Sequence, residues 1–350
     1  MKLMSASGAR PPMQLPAEHP AQQAPKIGVL LVNLGTPDGT DYWSIRRYLS
    51  EFLSDTRVIE IPRIVWQPLL QGVILTVRPK KTGAAYDKVW CQDTDESPLR
   101  KYTREQAETL AQRFEEPNVV VDWAMRYGKP SIASRLEALT AQGCQRILLM
   151  ALYPQYSATT MATVYDKAFL ALKRMRWQPA VRTMPAYYDH PKYIQVLGDS
   201  IRQHVEASSW QPDVVLMSYH GIPKRNLDLG DPYHCHCCKN TRLVREYLGW
   251  DEQKLQMSFQ SRFGKAEWLQ PYTEPTLIKM AESGVKRVMV AAPAFVSDCV
   301  ETLEELAIEA REAFLEAGGE QFELIPCLNA SEGAIDLFET IAREELSGWL

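Results

Sequence analysis

The chain lacks any apolar run long enough to cross a bilayer. Its longest, 64–77, is interrupted by Gln67, Pro68, Gln71 and Gly72, where a spanning helix needs about 20 apolar residues. No apolar segment of the secretory type stands near the start. No G-x-G-x-x-G follows a strand-like run and no G-x-x-x-x-G-K-[ST] occurs, so a nucleotide cofactor has no support. A basic excess is missing too. Lys plus Arg total 39 against 43 Asp plus Glu, a net charge of −4, which argues against general nucleic-acid binding. Cysteines number seven in 350 residues. So few, and an odd count, exclude a disulfide scaffold and suit a reducing, cytoplasmic setting.

What is present is an ordinary soluble composition, 45% hydrophobic and 23% charged, at a length that suggests two domains. Residues 1–25 carry five Pro, five Ala and three Gln and read as a disordered tail. Short apolar or β-branched runs at 27–32, 119–125, 146–152, 213–218, 254–260 and 287–292 read as buried strands. Helical patterns lie between them, as at 103–114, 132–142 and 301–317. Alternation of this kind predicts an α/β fold with parallel sheets covered by helices.

Self-comparison reveals a duplication. The first strand of one half runs into Gly35-Thr36-Pro37, that of the other into Gly221-Ile222-Pro223. The second strands end in Arg126-Tyr127-Gly128 and Arg262-Phe263-Gly264. The third begin with Gly143-Cys144-Gln145-Arg146 and Gly284-Val285-Lys286-Arg287 and run into Pro154 and Pro293. Two similar α/β domains are expected, 26–178 and 179–350, with the C-terminal helix available to pack back on the first. Ligands of such sheets bind beyond the carboxyl ends of the strands, so a cleft between the halves gathers these six segments.

His220 closes the fourth strand and suits proton transfer or metal ligation; a histidine satisfied by backbone is the alternative. Asp298, Glu301 and Glu305, at i, i+3 and i+7, share a face of the following helix. They form a carboxylate row for a divalent cation, or else a helix start enriched in acids. Arg126, Tyr127, Tyr153 and Tyr156 cluster at strand ends, where Arg suits a ligand carboxylate and aromatics suit a flat ligand. Cys235, Cys237 and Cys238 are either iron–sulfur ligands, completed by Cys91, Cys144, Cys299 or Cys327, or structural thiols. Segment 64–77, ending in Arg78-Pro79-Lys80-Lys81, is a helix packed on the core or an amphipathic element at a membrane surface.

These motifs together resemble the ferrochelatase family. The resemblance runs from residue 26 to 343. It rests on Val32-Asn33-Leu34-Gly35-Thr36-Pro37, Leu152-Tyr153-Pro154-Gln155-Tyr156-Ser157, 218–223 followed by Gly230-Asp231-Pro232-Tyr233, Phe259-Gln260-Ser261-Arg262 with Trp268, and 295–298 leading to Glu301-Thr302-Leu303-Glu304-Glu305. It implies a porphyrin cleft between two Rossmann-like domains and insertion of Fe2+ into protoporphyrin IX to form protohaem. The family's essential His and Glu correspond to His220 and Glu301, proposed iron ligands in bacterial members. Asp298 and Glu305 fall on its route for protons or metal. Arg126 and Tyr127 match residues near the porphyrin or its propionates, and Leu34, Tyr156 and Trp268 match pocket-lining positions. Segment 64–77 matches an apolar lip, which implies peripheral contact with the inner membrane or with the preceding enzyme of haem synthesis. The chain departs from animal members at Ala158, where they carry a cysteine, and at Cys299, where they carry a histidine, and it lacks their C-terminal cysteines. A [2Fe-2S] cluster on Cys235, Cys237 and Cys238 stays open, as do coproporphyrin, cobalt or nickel chelation, and a non-catalytic porphyrin carrier.

Overall fold

The computed structural model describes residues 25–350. The tail expected over 1–25 therefore lies, but for Pro25, outside the described residues. Eight strands form two four-stranded sheets. β1 (Lys26–Gly35), β2 (Val119–Tyr127), β3 (Cys144–Ala151) and β4 (Ala180–Thr183) build the first, in the order β2-β1-β3-β4. β5 (Val214–His220), β6 (Leu255–Gln260), β7 (Arg287–Ala291) and β8 (Gln321–Leu324) build the second, in the order β6-β5-β7-β8. All neighbouring strands are parallel.

The identical winding is the duplication seen in the sequence. It extends to backbone detail just past each second strand. There the Met125 N–H donates to Pro130 O and the Phe259 N–H to Pro271 O, both at 2.8 Å. β1 lies between β2 and β3, covered on both faces, and Val29 to Val32 are fully buried. A strand covered on both faces needs apolar side chains at successive positions, which explains its unbroken apolar run.

Six strands were legible in the sequence, and β4 and β8 were not. Each is four residues long at a sheet edge, Ala-Val-Arg-Thr and Gln-Phe-Glu-Leu, too short and mixed to show a period. Because β4 pairs with β3, the first sheet runs past the division expected between 178 and 179. The chain crosses to the second sheet only after Thr183. The helix expected over 103–114 is Pro98–Ala111. Its start is set by Ser97, whose Oγ accepts the Arg100 N–H at 3.2 Å, with Pro98 at the first helical position.

One apolar core joins the halves. Leu31, Leu148 and Met150 of the first sheet pack in one cluster with Val215, Met217 and Met289 of the second, and with Leu337, Phe338 and Ile341 of the C-terminal helix Glu332–Glu345. That helix also reaches the first half through Arg343 Nη1, 2.8 Å from Glu116, and an Arg113–Glu332 ion pair.

Segment 64–77 combines features of both expectations. It runs as a helix (Arg63–Leu69), a π-helical stretch (Leu70–Ile74) and a further helix (Leu75–Val89). Its inner face buries Trp66, Leu70 and Leu75 against Ile45, Tyr48 and Leu49. Its outer face leaves Ile64 87% and Val77 71% exposed, with Val65 and Val73. Among the described residues no helix is long and apolar enough to cross a membrane.

Candidate active site

His220 is the last residue of β5 and lies in register with Gln260 of β6. Its Nδ1 sits 2.6 Å from the Gly221 carbonyl oxygen. A carbonyl only accepts, so Nδ1 carries the proton, and in the neutral ring Nε2 is the nitrogen with the free lone pair. The ring lies beside Trp268 and Phe295, with centroids 6.5 and 6.2 Å away. Gly221 permits this packing. A Cβ there would stand 2.8 Å from Gln260 O and 3.2 Å from the Trp268 ring.

Glu301 sits in the first turn of the short helix Val300–Leu303. Val300 packs on the cluster holding Tyr48, Tyr86 and Tyr127 of the first half, so Glu301 lies where the halves meet. Burial raises the Tyr86 phenol well above its ordinary range, and the Glu301 charge adds to it. One amide ties this helix to the histidine strand. Gln260 Nε2 donates to Glu301 O at 2.7 Å, while Gln260 Oε1 accepts from Ser218 Oγ at 2.8 Å.

Glu305 opens a π-helical stretch, Glu305–Ala310. It accepts the Ser261 N–H at 2.6 Å and the Ser261 hydroxyl. Burial lifts its carboxyl above the usual range, although Ser261 and His220 pull it down. A nitrogen lone pair, a carboxylate and a carboxyl shifted toward neutrality thus share one region. That is a set of groups able to take up and pass on protons.

Asp298 does not join this row. The expected helix 301–317 is Val300–Leu303, then the π-helical stretch, then Arg311–Glu316. Cys299 is extended, so Asp298 lies before the helix rather than on its face. Its carboxylate accepts from Thr302 Oγ1 at 2.9 Å and Asn329 Nδ2 at 2.7 Å. It anchors the helix start to the loop after β8, a role that i, i+3 spacing could not reveal.

Arg126 is 8% exposed and paired with Asp55, which also accepts the Tyr127 hydroxyl at 2.9 Å. Its guanidinium stacks 4.2 Å over the Tyr127 ring. The charge expected to meet a ligand carboxylate is therefore already met by Asp55, a residue that the sequence did not single out. Leu34 and Tyr156 are half-buried on the first half's core. Arg78, on the lip helix, lies 4.5 Å over the ring of Phe263 from the second half.

Cys235, Cys237 and Cys238 occupy the start of one helix, Tyr233–Leu248. A helix turns about 100° per residue, so Cys235 and Cys238 fall on one face and Cys237 on another. Cys235 is exposed, Cys237 is buried, and Cys238 Sγ sits 3.8 Å from the His234 ring nitrogens. As placed, the buried Cys237 does not join Cys235 and Cys238 in a three-thiolate set. Among the described residues no three His, Cys, Asp or Glu side chains converge to hold a metal ion.

Comparison with known proteins shows the family and the fold. The ferrochelatase family model matches residues 26–346. Curated relatives named ferrochelatase include that of Allorhizobium ampelinum, 59% identical over 96% of this chain and 98% of the relative. That of Rhizobium meliloti is 58% identical over 97% of this chain and all of the relative. Among solved structures the fold is similar to SirB from Bacillus subtilis, with a TM-score of 0.56 and 10% identity over 93% of this chain and 98% of that one. It is also similar to DR2241 from Deinococcus radiodurans, at a TM-score of 0.52 and 11% identity, covering 92% of this chain and 56% of that one. The chain belongs to the ferrochelatase family.

Proposed function

We propose that iron enters the porphyrin between His220 and Glu301. The overall reaction is that of the family, a metal-insertion lyase step of haem synthesis in which Fe2+ is a substrate. Its stoichiometry demands the loss of two pyrrole protons as Fe2+ sheds water and takes four ring nitrogens. His220 Nε2, with its lone pair available, accepts a pyrrole proton or ligates the incoming ion. Glu301 offers a hard oxygen to replace water on iron. Glu305, whose buried carboxyl is raised, relays the second proton toward solvent. Trp268 and Phe295, beside His220, supply the wall that bends the macrocycle, and binding the bent ring better than the flat one lowers the barrier, while Leu34 and Tyr156 hold the ring in the pocket.

Arg126 contributes by holding the Tyr127 ring together with Asp55 rather than by meeting a propionate. Asp298 contributes by fixing the helix that carries Glu301. The observation that carries the reading is the Gln260 amide, which ties the His220 strand to the Glu301 helix. The exposed apolar lip supports peripheral contact with a membrane, from which a poorly soluble porphyrin would arrive, and the seven free thiols suit the cytoplasm.

Anaerobic Fe2+ insertion into protoporphyrin, followed by absorbance, tests the site. His220→Ala and Glu301→Gln should each lose at least about 100-fold in kcat, the range for a lost acid–base group, while still binding porphyrin. Either variant turning over at the wild-type rate would remove that residue from the mechanism. Coproporphyrin, Co2+ and Ni2+ in the same assay define the substrate range.

A further inference from the structure

The motif Gly230-Asp231-Pro232-Tyr233 has no part in the chemistry above, yet its carboxylate is among the buried charges of the second half. It faces the loop that follows β3 in the first half. Asp231 Oδ2 accepts two bonds from that loop, from Ser157 Oγ at 2.9 Å and from the Ala158 N–H at 2.7 Å. Its Oδ1 accepts the Tyr233 N–H at 3.0 Å, at the start of the helix Tyr233–Leu248. Ser157 is itself fully buried.

The same loop is held at two further points by the second half. The Tyr156 N–H donates to His236 Nδ1 at 3.2 Å, and Gln155 Nε2 donates to Pro293 O at 3.3 Å. His236 is fixed in turn by stacking on Tyr188, with centroids 3.8 Å apart. Four successive residues, Gln155 to Ala158, are thus gripped across the junction, and the two bonds to a carboxylate are the charge-assisted ones.

We propose that Asp231 is a positioning residue for porphyrin binding, acting through the 155–158 loop to fix Tyr156 in the pocket wall, with His236 as its second hold. The proposal rests on the reading of Tyr156 as a wall residue. The second half thereby sets the shape of a surface carried by the first. A binding residue on a loop is only as well placed as the bonds that pin its backbone. Loss of this clasp therefore weakens porphyrin binding and leaves the iron step, which uses other residues, in place.

The test measures porphyrin Kd by fluorescence titration, and kcat at saturating porphyrin, for Asp231→Asn, Ser157→Ala, their double variant and Tyr156→Ala. Asp231→Asn should weaken porphyrin binding about tenfold, the scale of a lost hydrogen bond to a charged group, with kcat within about twofold. Ser157→Ala should weaken it less. The double variant should be no worse than Asp231→Asn, because both changes break the same contact. His236→Leu should weaken binding, and His236→Asn, which returns an acceptor near the Nδ1 position, should restore it. These last two read the clasp even where Asp231→Asn fails to fold. Unchanged porphyrin affinity in Asp231→Asn or His236→Leu, a loss confined to kcat, or additive losses in the double variant would each overturn the clasp. Unchanged affinity in Tyr156→Ala would instead overturn the wall reading, and the proposal with it.

Discussion

At the scale of single residues, environment separates side chains that composition treats alike. Burial pushes the Cys237 and Cys299 thiols far above their ordinary range, while Cys235 is exposed on the same helix as Cys237. A raised thiol pKa keeps the proton on at pH 8, and the thiolate is the nucleophile. Iodoacetamide at pH 8 should therefore modify Cys235 well before Cys237 or Cys299 in the folded protein, as read by peptide mass spectrometry. Equal labelling of the three would contradict the helix as described. His220 and Glu301 could be singled out from sequence because strand ends and helix starts announce themselves through apolar runs and turn residues. The partners of Arg126 and Glu301 could not. Asp55 is 71 residues from Arg126 and Gln260 is 41 from Glu301, and no local pattern records such pairs.

At the scale of elements, the lip helix shows what periodicity encodes and what it misses. Leu70 is fully buried on its inner face, and Ile64, Val65 and Val77 are exposed on the outer. Leu70→Ala should cost about 2–5 kcal/mol by opening a cavity. Replacing Ile64, Val65 and Val77 together by Ser should change stability by only about 0.5 kcal/mol per site, while reducing co-sedimentation with anionic lipid vesicles. Thermal unfolding and vesicle sedimentation check the two faces separately, and undiminished sedimentation would detach the lip from any membrane role. The apolar content of this segment was plain in the sequence. Its π-helical stretch was not, nor was the one beginning at Glu305. A wider turn needs packing to hold it open, and an i, i+3, i+4 pattern assumes the regular one. β1 illustrates the strictest local demand. Gly35 has φ +112°, and a Cβ there would lie 1.9 Å from Tyr127 O, which is why a strand so apolar ends in glycine.

At the scale of the whole molecule, the two sheets share one apolar cluster, and the C-terminal helix contributes Leu337, Phe338 and Ile341 to it. A core common to both halves couples their unfolding. Urea denaturation followed by tryptophan fluorescence and by far-UV circular dichroism should give one coincident transition. Two resolved transitions would show halves that fold independently. By itself the sequence determined that the chain forms two similar parallel-sheet halves, and it placed the candidate site residues at the carboxyl ends of their strands. Both follow from burial along each strand and from turn residues at each end, which are local properties. Only the tertiary structure decided that β4 belongs to the first sheet, that Asp298 anchors a helix instead of joining Glu301, that Asp55 neutralises Arg126, and that Cys237 is buried away from Cys235. Each of these depends on which surfaces close on one another, and apolar periodicity tells a segment that it must be buried without naming what will cover it.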